Sequence, residues 1–421
     1  MQSNIHYPKL RIGKTRLDIF PYWIGLLAAG ILFGLVGAFV VLRDGLQVTG
    51  LSNKVPWGLW ISIDLSSIAL GGSAFVFGVI VYLLKLKRFE VIGKLAVLLG
   101  FLGYSTAGMV LLFDLGQPLR FWHPVVFWQP HSLLWEVTMC VVLYLTVLVA
   151  EIVPIVVEHP FFTDHPLHKK FPIVKKLAAF AKTVSRWLHK AGPILAIAGL
   201  TLSLLHQASL GATYSVLYGR GIWFNPSAPV QFVLSAMSGG IALLFFMGVI
   251  VFRVMRRGLV ADDVLYDIAR LSGGVTLLLT YLRLWDWAVT NYYSFDRNIS
   301  LQTEALNAVA PYTLSFWIGQ ALLPVIAGSV LLAAKSVKNF RYLMVFSVIP
   351  IFAAILTRWN YNFSGLIATP TYDPYTPVIV LNSYTPTWVE FSVATLVISY
   401  WLLMFSFAAR YLPFQSAGHE H

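Results

Sequence analysis

Several charged or histidine side chains lie within or at the ends of apolar blocks of the chain, where such groups are rare. A charge at the bilayer centre costs roughly 2.5–3.5 kcal/mol on insertion scales, so each should have a partner or a task. Carboxylates and imidazole can move protons, and guanidinium groups can donate to oxygen atoms. The side chains are Asp64, Asp114, Glu136, His206, Arg283, Asp286, Arg358 and Glu390.

The composition indicates the surroundings of these groups. The 421 residues are 58% hydrophobic and 11% charged, with a mean hydropathy of +0.73. Soluble domains carry about 25% charged residues, so the chain is predicted to be an integral membrane protein. The single cysteine, Cys140, excludes a disulfide framework and a cysteine-ligated cluster. Residues 1–18 are polar and basic without a cleavage signal, so the first apolar block should remain as a helix.

Ten apolar blocks are long enough to cross the membrane as helices, which needs about 20 residues each. The predicted fold class is therefore all-α and polytopic, with a single integral membrane domain over 1–421. The predicted spans are 20–42, 57–84, 92–113, 131–158, 192–218, 229–253, 268–293, 310–334, 342–365 and 388–410.

Basic residues are distributed unequally among the loops. The N-terminus, the even-numbered loops and the C-terminal end hold 23 of the 30 Lys and Arg residues, and the odd-numbered loops hold 5. Positive loops stay in the cytoplasm, so both termini are predicted to be cytoplasmic in a multi-pass protein of the inner membrane. The net charge of +12 then reflects these loops in a lipid bilayer, with no nucleic acid as partner. On this orientation nearly all the buried charges lie in the outer half.

Three loops have a distinctive composition. The inner loop 159–191 is basic and is interpreted as an amphipathic linker facing lipid, with metal binding through its histidines as the alternative. The outer loops 114–130 and 366–387 are rich in Pro and aromatic residues. They are predicted to be ordered caps, because they lack the runs of a flexible tether.

The second span begins with Pro56-Trp57-Gly58-Leu59-Trp60 and places Asp64 about two turns below the outer surface. Asp64 is either a buried carboxylate bonded to a Ser or Trp donor, or an acid that relays protons or binds a ligand.

The fourth span carries acids toward both sides of the membrane. Ser132 and Glu136 lie one turn apart on one face, with Trp135 on the same turn. Glu151 lies about 22 Å further in, at the helix rise. The two acids could be stations of a proton path, or Glu151 could mark the inner helix end.

The fifth span carries Ser203, His206 and Gln207 on one face. His206 is the only histidine well inside a predicted span, whereas a bis-histidine haem needs a second one across the bundle. We therefore expect no haem in this chain. His206 could donate to a quinone carbonyl, relay protons or be a satisfied structural residue.

Three ion pairs are expected from spacing and depth. Arg283 and Asp286 are three residues apart on one helix. Arg358 and Glu390 lie at similar depth in successive helices and could pair across the bundle. In the outer loop, Asp114 could pair with a nearby arginine, Arg120.

Several stretches, in order, resemble the NrfD/PsrC family of quinone-interacting membrane subunits, most closely its ten-helix HybB/QrcD-like branch. They are Pro56-Trp57-Gly58-Leu59-Trp60 through Asp64, Ser132-Leu133-Leu134-Trp135-Glu136, Leu205-His206-Gln207-Ala208-Ser209-Leu210-Gly211, Thr357-Arg358-Trp359 with Tyr361, and Pro386-Thr387-Trp388-Val389-Glu390. Asp114-Leu115-Gly116 with Arg120-Phe121-Trp122-His123 matches the wider family's outer-loop pattern.

The resemblance implies two four-helix bundles, at 57–218 and 229–365, with flanking helices 20–42 and 388–410. It also implies a menaquinone or ubiquinone site near the periplasmic face and no haem. The partners it implies are a periplasmic ferredoxin-type iron–sulfur subunit and further catalytic or cytochrome subunits of an oxidoreductase complex.

The residues and the resemblance together predict a quinone-reactive subunit that is inactive alone. Two alternatives remain, a haem-b anchor cytochrome and a secondary transporter. A transporter would favour broken helices near the midplane in matching halves. The predicted catalytic residues are Asp64, Glu136 and His206, the predicted quinone-binding residues are Trp60, Ser132, Trp135, Gln207, Arg358 and Glu390, and the predicted proton path contains Glu151, Asp114, Asp286 and Arg283.

Overall fold

Apolar residues form long helices here because a bilayer offers the backbone no other hydrogen-bond partner. The computed structural model describes residues 9–12, 15–157, 159, 162, 171–255, 260–292, 297–371, 378–412 and 414. Its α-helices are α1 (Phe20–Asp44), α2 (Leu59–Leu70), α3 (Ser73–Gly78), α4 (Glu90–Asp114), α5 (His123–Val126), α6 (Leu133–Val157), α7 (Pro172–Ser215), α8 (Ala228–Val249), α9 (Asp262–Tyr292), α10 (Arg297–Asn307), α11 (Ala310–Leu314), α12 (Leu323–Leu332), α13 (Ala334–Val337), α14 (Phe340–Ile367) and α15 (Trp388–Tyr411).

Nine helical segments in the described part of the chain are long and apolar enough to cross a membrane. The tenth predicted span, 268–293, falls in α9, whose 31 residues are long enough but less apolar. Arg283 and Asp286 lower its hydropathy, and α9 packs between α8 and α12. The protein is thus an all-α, multi-pass integral membrane protein.

Short segments of other structure connect the helices. The strands β1 (Lys9–Ile12) and β2 (Thr15–Asp18) form one antiparallel hairpin, and β3 (Ala368–Pro370) and β4 (Ile379–Leu381) form another. Wider π-helical turns cover Val79–Leu83, Ile250–Val254 and Ser315–Leu322. The β3–β4 hairpin and α5 give the two predicted caps, 114–130 and 366–387, regular structure, although 372–377 lie outside the described residues.

The structure differs from the predicted spans in three places. The helix α7 begins at Pro172, well before the predicted fifth span at 192–218, so the second half of the inner basic loop is also helical. The second span is interrupted at Gly71 and Gly72, between α2 and α3. The helix α10 was not predicted, and its buried Gln302 binds the Ile222 amide and the Ala368 carbonyl.

The helices pack as two contacting sets and one flanking pair. The helix α1 packs along α15, and α2, α4, α6 and α7 contact one another successively. The helices α8, α9, α12 and α14 form a second contacting set, and α8 also packs against α2, α3 and α7. We call the end that carries segments 45–58, 115–132 and 382–387 the outer face, after the orientation predicted from the sequence.

Paired glycines allow the two sets of helices to approach each other. A Cβ built on Gly72 would lie 2.5 Å from the Ala236 carbonyl oxygen, and one on Gly240 would lie 2.6 Å from the Ser73 amide nitrogen. Backbone therefore meets backbone where α2 ends and α8 passes, which fixes the two sets relative to each other at this level.

Candidate functional site

Arg358 lies fully buried where the two sets of helices meet. Its Nη2 donates to Gln207 Oε1 at 2.9 Å and to the Phe232 carbonyl at 2.6 Å. The Phe232 ring lies 3.8 Å from the guanidinium carbon, a cation–π contact. The Nε and Nη1 atoms have no hydrogen-bond partner among the described residues.

Two side-chain links tie α14 to the first set of helices. Gln207 accepts a hydrogen bond from Arg358 through Oε1 and donates through Nε2 to the Ile68 carbonyl at 3.1 Å. One turn beyond Arg358, Asn362 accepts from Tyr214 at 3.2 Å and donates to Ser62 at 3.1 Å. These links hold Arg358 at a defined position between α2 and α7.

Asp64 and His206 are buried near Arg358 and incompletely satisfied. Arg358 lies within electrostatic range of both. Asp64 Oδ1 and both ring nitrogens of His206 lack a hydrogen-bond partner among the described residues, although the Val137 carbonyl lies near the ring. Because buried polar groups nearly always have a partner, these atoms could bind water or a ligand.

Glu136 lies at the level of His206 on the neighbouring helix. Its half-buried carboxylate accepts from Ser209 Oγ at 2.5 Å, and Ser209 follows His206 by one turn of α7. Facing turns of α6 and α7 therefore carry this carboxylate and the imidazole. Asp64, Glu136 and His206 line none of three cavities that the described residues enclose.

The predicted pairing of Arg358 with Glu390 is wrong. The Glu390 carboxylate accepts from the Gly50 amide at 2.7 Å, from the Thr387 amide at 2.9 Å and from the Tyr384 hydroxyl. It caps α15 in a reciprocal box with Thr387. Burial and this contact raise the pKa of Tyr384, so the phenol remains a donor. Trp60 belongs to the same assembly, because its indole donates to the Glu390 carbonyl at 3.1 Å.

The other two predicted ion pairs are also absent among the described residues. Asp286 accepts from Asn225 at 2.8 Å and from Ser227 at 2.8 Å, and Arg283 Nε and Nη2 have no partner in that part of the chain. Asp114 Oδ1 is likewise buried without a partner there, and no contact joins it to Arg120. For Asp286, neutral donors of the loop before α8 take the place of the charged partner that the spacing suggests.

Ser132 and Trp135 hold the outer loop. The Trp135 indole donates to the Pro124 carbonyl at 2.8 Å and packs against Trp128 at 5.5 Å, and the Trp135 amide donates to Ser132 Oγ at 3.4 Å. At the opposite end of α6, Glu151 and Lys94 both line a cavity of about 90 Å³.

Among the described residues, no group of three or more His, Cys, Asp or Glu side chains could hold a metal ion.

Sequence reasoning missed several polar side chains around the site. Tyr104 lies 5.5 Å from the His206 ring, 4.5 Å from the Tyr144 ring and 3.5 Å from Ser203 Oγ. Ser209 binds Glu136, and Asn225 binds Asp286. The available signal was a tyrosine or polar residue inside an otherwise apolar block, at the level of a charged residue.

Comparisons with known proteins give a consistent result. The model of the family described as "Polysulphide reductase, NrfD" matches residues 47–368. The chain is 30% identical to the integral membrane subunit of menaquinone reductase from Nitratidesulfovibrio vulgaris, covering 95% of this chain and 93% of that protein. It is 27% identical to one of the subunits of selenate reductase from Mesobacillus selenatarsenatis, covering 90% and 91%. It is 23% identical to a probable Ni/Fe-hydrogenase 2 b-type cytochrome subunit from Escherichia coli, covering 87% and 85%.

Proposed function

The chain belongs to the polysulphide reductase NrfD family, and from this premise we propose that it is the quinone-reactive membrane subunit of a respiratory oxidoreductase complex. Two of its relatives are named as subunits of menaquinone reductase and of selenate reductase. The proposed substrate is menaquinone or ubiquinone. The proposed location is the cytoplasmic membrane, with both termini inside.

The observation that carries this proposal is the group of unsatisfied polar atoms around Arg358. A quinone carbonyl accepts hydrogen bonds, and Arg358 and His206 offer donors without partners among the described residues. Reduction to quinol consumes two electrons and two protons, and Asp64 and Glu136 can pass protons to the ring oxygens. Gln207 would orient Arg358 through the contact described above.

Electrons would come from, or go to, an iron–sulfur protein on the outer face. The loop there exposes apolar side chains, with Leu119 88% exposed and Trp128 65% exposed. Exposed apolar patches rimmed by polar groups mark interaction sites. Trp135 and Pro124 hold this loop above the level of Glu136, so a partner seated on it would approach the proposed site.

Protons would come from the cytoplasm through the core of the first set of helices. Glu151 lines the inner cavity, and Tyr144 lies two turns further out on the same helix. Tyr144 packs against Tyr104, which contacts Ser203 and His206. This series of phenols and hydroxyls could relay protons from Glu151, and turnover would then be electrogenic.

Quinone-linked turnover of the purified complex tests the proposal. Asp64→Asn, Glu136→Gln and His206→Ala should each lower turnover by about 100-fold or more, because positioned acid–base groups contribute roughly 10²–10⁴. Asp263→Asn, at an exposed position of α9, is the matched control and should retain full turnover. Near-normal turnover in all three variants, with the complex assembled, would refute the assignment of the site.

A further inference from the structure

A second cavity lies in the half of the molecule that the proposed site does not use. It has a volume of about 190 Å³ and opens to the surface among α9, α10, the Ser315–Leu322 turn and α14. Its lining includes Arg283, Asp286, Gln320 and Tyr361. At ~30 Å³ per water molecule it could hold roughly six waters, or one small ring.

Two buried side chains in this cavity lack partners among the described residues. Arg283 is 6% exposed, and its Nε and Nη2 make no hydrogen bond. Gln320 is 2% exposed, and neither its amide oxygen nor its amide nitrogen has a partner. The Asp286 carboxylate, one turn from Arg283, is already held by Asn225 and Ser227. The cavity therefore offers guanidinium donors and an amide that both donates and accepts.

These groups select the chemistry of a ligand. Arg283 and Asp286 carry opposite charges, so the cavity wall has little net charge. This favours an uncharged ligand over an anion. Gln320 needs both an acceptor and a donor, and a ring with carbonyl or hydroxyl oxygens supplies them. Arg283 also lies nine residues before the outer end of α9 at Tyr292, which is about 13 Å at the helix rise. A phosphate headgroup would have to leave the interface to reach this depth, whereas a neutral ring would not.

The mouth of the cavity suits a ring with an apolar tail. Trp287 and Trp317 meet edge to face there, with centroids 4.9 Å apart, and both are partly exposed. Leu314, Ile318 and Leu322 are exposed at intervals of four residues along the helical segment that continues from α11. An isoprenoid chain could follow these side chains into the lipid.

We propose that this cavity is a second quinone-binding site, with the headgroup between Arg283 and Gln320 and the tail along Leu314–Leu322. The class of ligand rests on the proposed function, whereas the position of the site rests on the second cavity alone. Arg358 belongs to the first site, and Tyr361, one turn away on α14, lines the second.

Photolabelling of the intact complex tests this second site. The probe is an azido-naphthoquinone with a short isoprenoid tail, and labelled positions are mapped by peptide mass spectrometry. Labelling within residues 311–323 is expected and should be suppressed by unlabelled menaquinone. Arg283→Met and Gln320→Leu should each lower it by about tenfold or more, as the loss of a hydrogen bond involving a charged or buried group predicts. Gln320→Leu nearly preserves the side-chain volume, so it still tests the site if Arg283→Met fails to fold.

The controls separate this proposal from the proposed function. Arg270→Met replaces a half-exposed arginine of the same helix and should leave labelling unchanged. Asp64→Asn should lower turnover by about 100-fold or more and leave labelling of 311–323 unchanged. Three results would overturn the second site: no labelling of 311–323 in the unmodified complex, labelling insensitive to both cavity variants, or suppression by phosphatidylglycerol but not by menaquinone.

Discussion

Glu390 and Asp64 are both buried carboxylates near the outer face, yet their surroundings differ. Glu390 accepts hydrogen bonds from Gly50, Tyr384 and Thr387, whereas Asp64 Oδ1 accepts none among the described residues. A satisfied carboxylate stabilises the fold, and an unsatisfied one is available to a substrate. The contrast favours a structural role for Glu390 and a chemical role for Asp64.

The structural role of Glu390 predicts the effect of replacing its capping partner, Thr387, on stability. Thr387 Oγ1 donates to the Val48 carbonyl at 3.0 Å and caps α15. Thr387→Ala should therefore destabilise the protein by about 1–2 kcal/mol, a typical cap loss. Thermal unfolding in detergent measures this effect. Thr395→Ala on the same helix removes only an exposed bond to the Phe391 carbonyl and should change little. Equal effects of the two variants would contradict the cap.

At the scale of the elements, the junction of α2, α3 and α8 determines where the site lies. The interruption at Gly71–Gly72 lets α8 approach the backbone of the second span. This contact brings Phe232 on α8 under Arg358 and Ile68 on α2 next to Gln207. The guanidinium is thus placed by three helices that are separate in sequence.

A methyl group at this junction should force the helices apart. Gly240→Ala would place a Cβ 2.6 Å from the Ser73 amide nitrogen, and overpacking of a tight core costs about 1–3 kcal/mol. We expect a lower unfolding temperature and lower quinone-linked turnover. Gly274→Ala, a helical glycine with nothing within 4 Å of the added atom, should be neutral or stabilising. A stable and fully active Gly240→Ala would show that the close approach is unimportant.

Over the whole molecule, the unsatisfied groups of the proposed site and the exposed apolar loop lie toward the same face. Asp64, His206 and Arg358 lie beneath the outer end, and Leu119 and Trp128 are exposed on the outer loop. The cavity of Glu151 lies at the opposite end. This polarity suits a protein that receives electrons from one side and protons from the other.

Reporter fusions test the orientation on which this polarity depends. Fusions after residues 50, 125, 225, 300 and 380 should report a periplasmic position, because the loops that contain them hold few basic residues. Fusions after residues 87 and 338, in basic loops, should report the cytoplasm. Two or more reversed reporters in the first group would refute the topology.

The docking surface can be tested by crosslinking. A photoreactive residue at Leu119 or Trp128 should capture an iron–sulfur subunit from the assembled complex, because the exposed apolar loop offers little charge for a purely electrostatic contact. Trp187 is 75% exposed in the inner half of α7 and provides the control position. Capture of that subunit from Trp187 and not from the outer loop would reverse the direction of the proposed electron path.

Most of the membrane-spanning helices followed from the sequence, because a bilayer imposes a minimum length on an apolar helix and a cost on every buried charge. Nine predicted spans recur as apolar helices, and the tenth recurs as α9. The interruption after Leu70 and the 44-residue length of α7 were not predicted. Where a helix is interrupted or extended depends on tertiary packing and on loop geometry. The hydrophobicity of a segment does not indicate either.

The partners of the charges were decided only by the tertiary structure. Sequence spacing suggested Arg358 with Glu390 and Arg283 with Asp286, but Arg358 binds Gln207 and Asp286 binds Asn225. Neutral side chains and backbone carbonyls from distant helices compete for these charged groups. The positions of these competitors follow from helix packing, such as the contact of Gly72 with Ala236 of α8. Residue type thus determined which buried side chains need a hydrogen-bond partner or a functional role. The helix arrangement decided which of the described side chains have atoms without a partner.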